Sequence, residues 1–115
     1  MNYEEILDAL ETGSMRAASP SKDGWVVNIE VKQAILQSFK EGVNTSYEGI
    51  YEGFVDKHNL PPRYFSPEDQ VRLVPGGSSV RRGAYVAPSV IIMPPAYINV
   101  GAYVGEGSMV DSHAL

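Results

Sequence analysis

The chain has 115 residues, 43% of them hydrophobic and 20% charged, with a formal net charge of -5 and no cysteine. A chain of this length supports one modest core. The absence of cysteine excludes disulfides and thiolate chemistry, and no apolar run approaches the roughly 18 residues of a membrane span.

Residues 1–62 hold five basic and ten acidic side chains, and residues 63–115 hold four of each, which leaves no basic stripe for nucleic acid. Glu4, Glu5 and Asp8 interrupt the region where a secretory signal would be apolar. A cytoplasmic protein without membrane or nucleic-acid partners is the expectation.

Asn2 followed by Glu5 has the spacing of a capping box, Ile6, Leu7 and Leu10 share one face, and Gly13 is placed to stop a first helix. The segment Ser14–Ala18, a turn-forming stretch Ser19–Gly24 and the run Trp25–Ile29 predict two strands joined by a loop. A second helix is predicted from Glu30 to Lys40, with Val31, Ala34, Ile35, Ser38 and Phe39 at helical spacing and Gly42 beyond its end. The two apolar faces are expected to pack together. From Asn44 to Pro67 the pattern weakens: Tyr47, Tyr51 and Phe54 suit a core more than a binding site, and Leu60-Pro61-Pro62-Arg63 predicts an extended connector. Val71–Val74 alternates as a strand, closed by Pro75-Gly76-Gly77. This divides the chain into an α/β domain over residues 1–77 and a second unit over residues 78–115.

The second unit repeats every six residues from Val80: VRRGAY, VAPSVI, IMPPAY, INVGAY, VGEGSM, VDSHAL. Val or Ile opens each unit, the fifth position is small (Ala84, Val90, Ala96, Ala102, Ser108, Ala114), and the fourth is mostly turn-forming (Gly83, Ser89, Pro95, Gly101, Gly107, His113). A period of two predicts a flat strand and 3.6 a helix; six predicts short strand, corner, short strand, the pattern of a parallel β-helix.

All four basic residues after position 62 are arginines: Arg63, Arg72, Arg81 and Arg82. Taken singly, each is expected to be solvated, although a guanidinium also grips a carboxylate or phosphate through two parallel bonds.

The run "VRLVP" at 71–75, Arg82–Ala87, Met93-Pro94 and "YINVGAYVGEGSMVDS" at 97–112 resemble the tetrahydrodipicolinate N-succinyltransferase family, and Leu10–Arg16, Gly24-Trp25-Val26 and Val31–Phe39 fit its amino-terminal domain in order. The resemblance implies an α/β amino-terminal domain followed by a left-handed parallel β-helix with three hexapeptides per coil. It also implies assembly as a homotrimer, and succinyl transfer from succinyl-CoA, a co-substrate rather than a bound cofactor, to an acyclic amino dicarboxylate. Left-handedness comes from the resemblance alone, since parallel crossovers are otherwise right-handed. Three hexapeptides per coil would stack Val80 under Ile98, Val86 under Val104, Ile92 under Val110 and Tyr85 under Tyr103.

By the same resemblance Asp111 matches a catalytic, substrate-contacting aspartate, and Arg72 matches an arginine that holds a substrate carboxylate. Unaided by it, Asp111 is better explained as decoration of an outward face, and Arg72 as the cap of a strand; the motif match reverses that preference. Asp111-Ser112-His113 invites a histidine base, but the family often carries tryptophan at that place. A hexapeptide zinc site of the carbonic-anhydrase kind needs three histidines, and only His58 and His113 exist here, so no metal is expected. The family continues past "VDSHAL", so the expectation is an amino-terminal fragment without turnover of its own. A different hexapeptide acyltransferase and a non-catalytic oligomerisation module remain open.

Overall fold

The structure is a computed structural model and describes residues 1–114. Helix α1 (Tyr3–Thr12) begins with the predicted capping box: Asn2 Oδ1 accepts the Glu5 N–H at 2.9 Å and Glu5 Oε1 accepts the Asn2 N–H at 3.2 Å. Gly13 ends the helix in the left-handed region. Helix α2 (Ile29–Glu41) is capped by Asn28 and runs one residue further at each end than its apolar spacing predicts. Ile6, Leu7 and Leu10 of α1 are buried with Val31 and Ala34 of α2 and with Leu60. Each such large aliphatic side chain contributes about 1.5–3 kcal/mol on leaving water.

Between the helices, β1 (Ala18–Ser21) pairs antiparallel with β2 (Gly24–Val27). The stretch Ser19–Gly24, expected to be turn, is largely ladder; only Lys22 and Asp23 turn. The ribbon has two strands, so Pro20 sits opposite Trp25 without needing an N–H for a second neighbour. After α2, β3 (Asn44–Ser46) and β4 (Val55–Lys57) form a second hairpin around a 3-10 turn at Gly49–Tyr51. Here the expectation of an aromatic core fails. Phe54 is 62% exposed and Tyr51 only half-buried, because the hairpin loop carries both rings out to the surface. Tyr47 differs: its hydroxyl donates to the Lys57 carbonyl at 2.9 Å.

A 3-10 turn at Pro67–Asp69 precedes β5 (Arg72–Leu73). Six two-residue strands follow at six-residue intervals: β6 (Ser79–Val80), β7 (Tyr85–Val86), β8 (Ile91–Ile92), β9 (Tyr97–Ile98), β10 (Tyr103–Val104) and β11 (Met109–Val110). They stack as three parallel ladders, β6 with β9, β7 with β10, and β5 with β8 and β11. Val80 lies against Ile98, Val86 against Val104, Ile92 against Val110 and Tyr85 against Tyr103, the stacking expected of a three-unit coil. In β5 the offset is nineteen rather than eighteen residues, with Leu73 opposite Ile92, so the Pro75-Gly76-Gly77 corner absorbs one extra residue.

Alternation within each two-residue strand sends one side chain inward. Val80, Ala84, Val86, Val90, Ile92, Ala96 and Ile98 fill the interior. Five of the six fourth positions adopt positive φ, from +66° at His113 to +88° at Gly83, and the sixth is Pro95, whose ring forbids it. The corner therefore imposes a backbone requirement beyond easy turning. At Gly83 it is joined by close packing, since an added Cβ would lie 2.7 Å from Val100 Cγ2 and 3.2 Å from Leu7 Cδ2.

Gly83→Ala is accordingly expected to destabilise the chain by about 2–4 kcal/mol, combining left-handed strain with overpacking. Gly107→Ala, at φ +74° with open space around it, should cost only the strain, roughly 1–2 kcal/mol. Denaturant unfolding of the two variants checks this; equal losses would remove the packing contribution.

Candidate functional site

The four arginines that sequence leaves equivalent are sorted by the fold. Arg81 is only 8% exposed. Its Nη2 meets Asp56 Oδ2 at 2.5 Å, its Nε donates to the Leu60 carbonyl and its Nη1 to Asn99 Oδ1, both at 3.2 Å, and its guanidinium lies 5.0 Å from the centre of the Phe39 ring. Arg82 Nη2 reaches Glu4 at 2.7 Å and Asp8 at 3.3 Å, and its Nη1 donates to the Asn59 carbonyl. Arg63 Nη1 donates to the Ala84 carbonyl at 2.7 Å, with Glu11 at 3.6 Å from its Nε and the Phe65 ring beneath it. Solvation is thus the wrong expectation for these three. They are tied down because the acidic residues of the first 62 positions face them across the seam between the helices and the coil.

Arg72 is the exception. Its backbone N–H donates to the Val90 carbonyl at 3.0 Å, locking β5 onto β8, and because Leu73 points inward Arg72 points out. The side chain is exposed, and its guanidinium has no hydrogen-bond or ion-pair partner among the described residues. It lines a groove of about 560 Å³ shared with Tyr51, Tyr64, Phe65 and Ser66.

Asp111 follows β11 on the same ladder, and it is also exposed. Its Oδ1 accepts the Ser112 N–H at 2.7 Å, while Oδ2 has no partner among the described residues. Arg72 is level with Ile91 and Met109, and Asp111 is two residues beyond Met109. Two strand spacings across and two residues along place the Arg72 and Asp111 Cα atoms about 12 Å apart. No ion pair joins the two side chains among the described residues.

His113 does not join Asp111. It occupies a corner at φ +66°, its ring is exposed beside Pro95 and Tyr97, and no hydrogen bond links it to the Asp111 carboxylate among the described residues. His58 accepts the Val43 N–H on Nδ1 at 3.1 Å, a structural use. Among the described residues no group of three or more His, Asp or Glu side chains is placed to hold a metal ion, and no helix is long and apolar enough to cross a membrane. Sequence reasoning missed the aromatic wall of the Arg72 groove. Tyr51 and Tyr64, with ring centres 5.9 Å apart, come from segments without periodicity, and the one available signal was an aromatic directly after the Pro61-Pro62-Arg63 connector.

The hydrogen bond from Arg82, with lesser help from Tyr3, holds the Glu4 carboxyl below its ordinary value of 4.5. A lowered carboxylate stabilises the fold above that value and loses the contribution as pH falls through the folded value. Half-exposed and screened, the pair contributes under about 1 kcal/mol. Glu4→Gln should therefore be slightly less stable at pH 7, with the difference closing below pH 4.5; a constant difference down to pH 2 would count against the pair. Arg81→Ala should cost about 1–3 kcal/mol by leaving the Leu60 carbonyl without its donor and removing a packed guanidinium, whereas Arg72→Ala should stay within about 0.5 kcal/mol of the parent. Parallel urea titrations separate the two, and a large loss at Arg72 would reassign it to structure.

With that geometry in place, sequence comparison adds kinship. A family profile described as tetrahydrodipicolinate N-succinyltransferase N-terminal matches residues 3–40. Curated relatives named 2,3,4,5-tetrahydropyridine-2,6-dicarboxylate N-succinyltransferase include one from Paramagnetospirillum magneticum, 42% identical over 119 residues covering 96% of this chain and 41% of the relative. Another, from Idiomarina loihiensis, is 36% identical over 95% of this chain and 40% of its own length. A third, from Nitrosococcus oceani, is 43% identical over 78% of this chain and 34% of its own length. The chain spans about two fifths of the length of the first two. The chain is thus similar, over nearly its whole length, to part of the tetrahydrodipicolinate N-succinyltransferases, and over residues 3–40 to their amino-terminal domain.

Proposed function

We propose that the chain supplies the amine-binding wall of a succinyltransferase that moves a succinyl group from succinyl-CoA to the amino group of an opened tetrahydrodipicolinate, in the making of lysine and diaminopimelate. One observation carries this: Arg72 and Asp111 stand on the outward side of one parallel ladder, about 12 Å apart by strand spacing, each exposed and each with polar atoms uncommitted among the described residues. In the reaction the amine nitrogen attacks the thioester carbonyl carbon, the C–S bond breaks, coenzyme A leaves as its thiol, and the amine sheds one proton. Asp111 Oδ2 is placed to orient that amine or accept its proton. Arg72 holds the far carboxylate, for which its planar fork is suited. Positioning of this kind is worth several kcal/mol in such transfers.

The names of the relatives support the donor and acceptor, and the three ladders with an eighteen-residue repeat support a coil of three hexapeptides. Within this proposal the coil is left-handed, the protein works in the cytoplasm as a homotrimer, and the chain divides into residues 1–77 and 78–115, with β5 reaching onto the third ladder of the second unit. Succinyl-CoA binds as co-substrate only.

The test is a chimera in which these 115 residues replace the matching part of the Paramagnetospirillum magneticum relative, assayed for coenzyme A thiol release with tetrahydrodipicolinate. Turnover is expected in the chimera and none in the 115-residue chain alone. Arg72→Ala and Asp111→Asn should each lower kcat/KM by at least about tenfold to hundredfold, Asp111→Asn chiefly through kcat. A folded chimera that keeps parental turnover with both residues replaced would reduce the chain to a scaffold.

A further inference from the structure

Arg16 stands apart from the arginines of the second half. It lies in the link between α1 and β1, and that link is pinned on both sides. The Met15 N–H donates to the Ala9 carbonyl at 3.2 Å and the Asn28 N–H to the Ala17 carbonyl at 2.8 Å. The guanidinium carbon of Arg16 is 3.7 Å from the centre of the Tyr103 ring and 5.6 Å from that of Trp25. Tyr103 in turn stacks on Tyr85, with ring centres 4.7 Å apart, and Tyr85 packs so closely on Gly13 that an added Cβ there would lie 2.8 Å from the ring. The cation is therefore held by rings that are themselves held. Rings engage the flat face of a guanidinium, whereas its N–H groups lie in the plane and stay available. No hydrogen bond or ion pair takes up those donors among the described residues, and Nε is buried. With Nε closed off, Nη1 and Nη2 form the edge open to a ligand.

We propose that Arg16, clamped by Tyr103 and Trp25, is an oxyanion site that takes a carboxylate or a phosphate group on its Nη1–Nη2 edge. Both groups present two oxygens at the spacing of that fork and accept two parallel hydrogen bonds. A negative charge there also offsets the cost of holding a half-buried cation without an ionic partner. Tyr103 belongs to the ladder of β7 and β10, while Arg72 and Asp111 belong to that of β5, β8 and β11. The Arg16 site therefore stands or falls independently of the role proposed for Arg72.

Inorganic phosphate and acetate are the probes, each titrated by NMR at pH 7 into the isotope-labelled chain, with ionic strength held constant by chloride. The Arg72→Ala variant is used, so that the other guanidinium without a protein partner is silent. Both anions are expected to shift the Arg16 Nε–H and the Trp25 indole N–H saturably. Tighter binding of phosphate assigns the site to phosphate-bearing ligands, and tighter binding of acetate to carboxylates. Arg16→Lys, which keeps the charge but loses the fork, should weaken the preferred anion at least about fivefold, read at the Trp25 indole. Trp25→Leu should weaken it about threefold, read at the Arg16 Nε–H, by loosening the clamp; Trp25 is 67% exposed, so the core is left intact. No saturable shift with either anion, an equal response to added chloride, or affinity unchanged in Arg16→Lys would overturn the site. Affinity unchanged in Trp25→Leu would overturn the clamp.

Discussion

A buried guanidinium is costly unless its nitrogens find acceptors, and Arg81 gives each of its three nitrogens a partner by drawing four separate segments to one point. Asp56 comes from the second hairpin, the Leu60 carbonyl from the connector, Asn99 from the next coil, and Phe39 from the second helix. Because the charge cannot be left unpaired in the interior, these segments are held to one mutual arrangement. The connector is laid along the first rung, with the Arg63 N–H on the Val80 carbonyl and the Arg82 N–H on the Pro61 carbonyl. β5 then takes its place through its own ladder, with the Arg72 N–H on the Val90 carbonyl.

The coil was legible because its period is imposed residue by residue. An inward Val or Ile, a small fifth residue and a corner with positive φ recur at fixed spacing, and any one of them misplaced would put a polar group inside or an L-residue under strain. The two helices were legible for a similar reason: caps at Asn2 and Asn28 and apolar spacing are local chemistry. The second hairpin was not. Its strands are three residues long, Tyr51 and Phe54 sit in its loop, and whether an aromatic ring is core or surface depends on what other elements cover it. Nor was the extra residue at the Pro75-Gly76-Gly77 corner visible, since β5 lies outside the strict repeat and its register shows only when Leu73 is seen opposite Ile92.

For the site, sequence pattern could nominate Arg72 and Asp111 only through family likeness, because neither the second position of a hexapeptide nor an arginine in a short strand is chemically distinctive. The fold adds that both belong to one ladder and that rigid rungs set their separation. It also removes a tempting alternative. Asp111, Ser112 and His113 are adjacent in sequence, but the corner geometry turns the His113 backbone into the left-handed region, and the Asp111 carboxylate binds the Ser112 N–H instead.

The charge asymmetry of the chain acquires a physical meaning from the same geometry. Ten acidic side chains in the first 62 residues suggest a solvated negative surface, yet Glu4, Asp8, Glu11 and Asp56 face Arg82, Arg63 and Arg81 across the seam. Much of the imbalance is therefore internal complementarity between the helical half and the coil. Since that seam engages three of the four arginines of the second half, Arg72 is the one left with charge to offer a ligand. No ion pair to its guanidinium is found among the described residues.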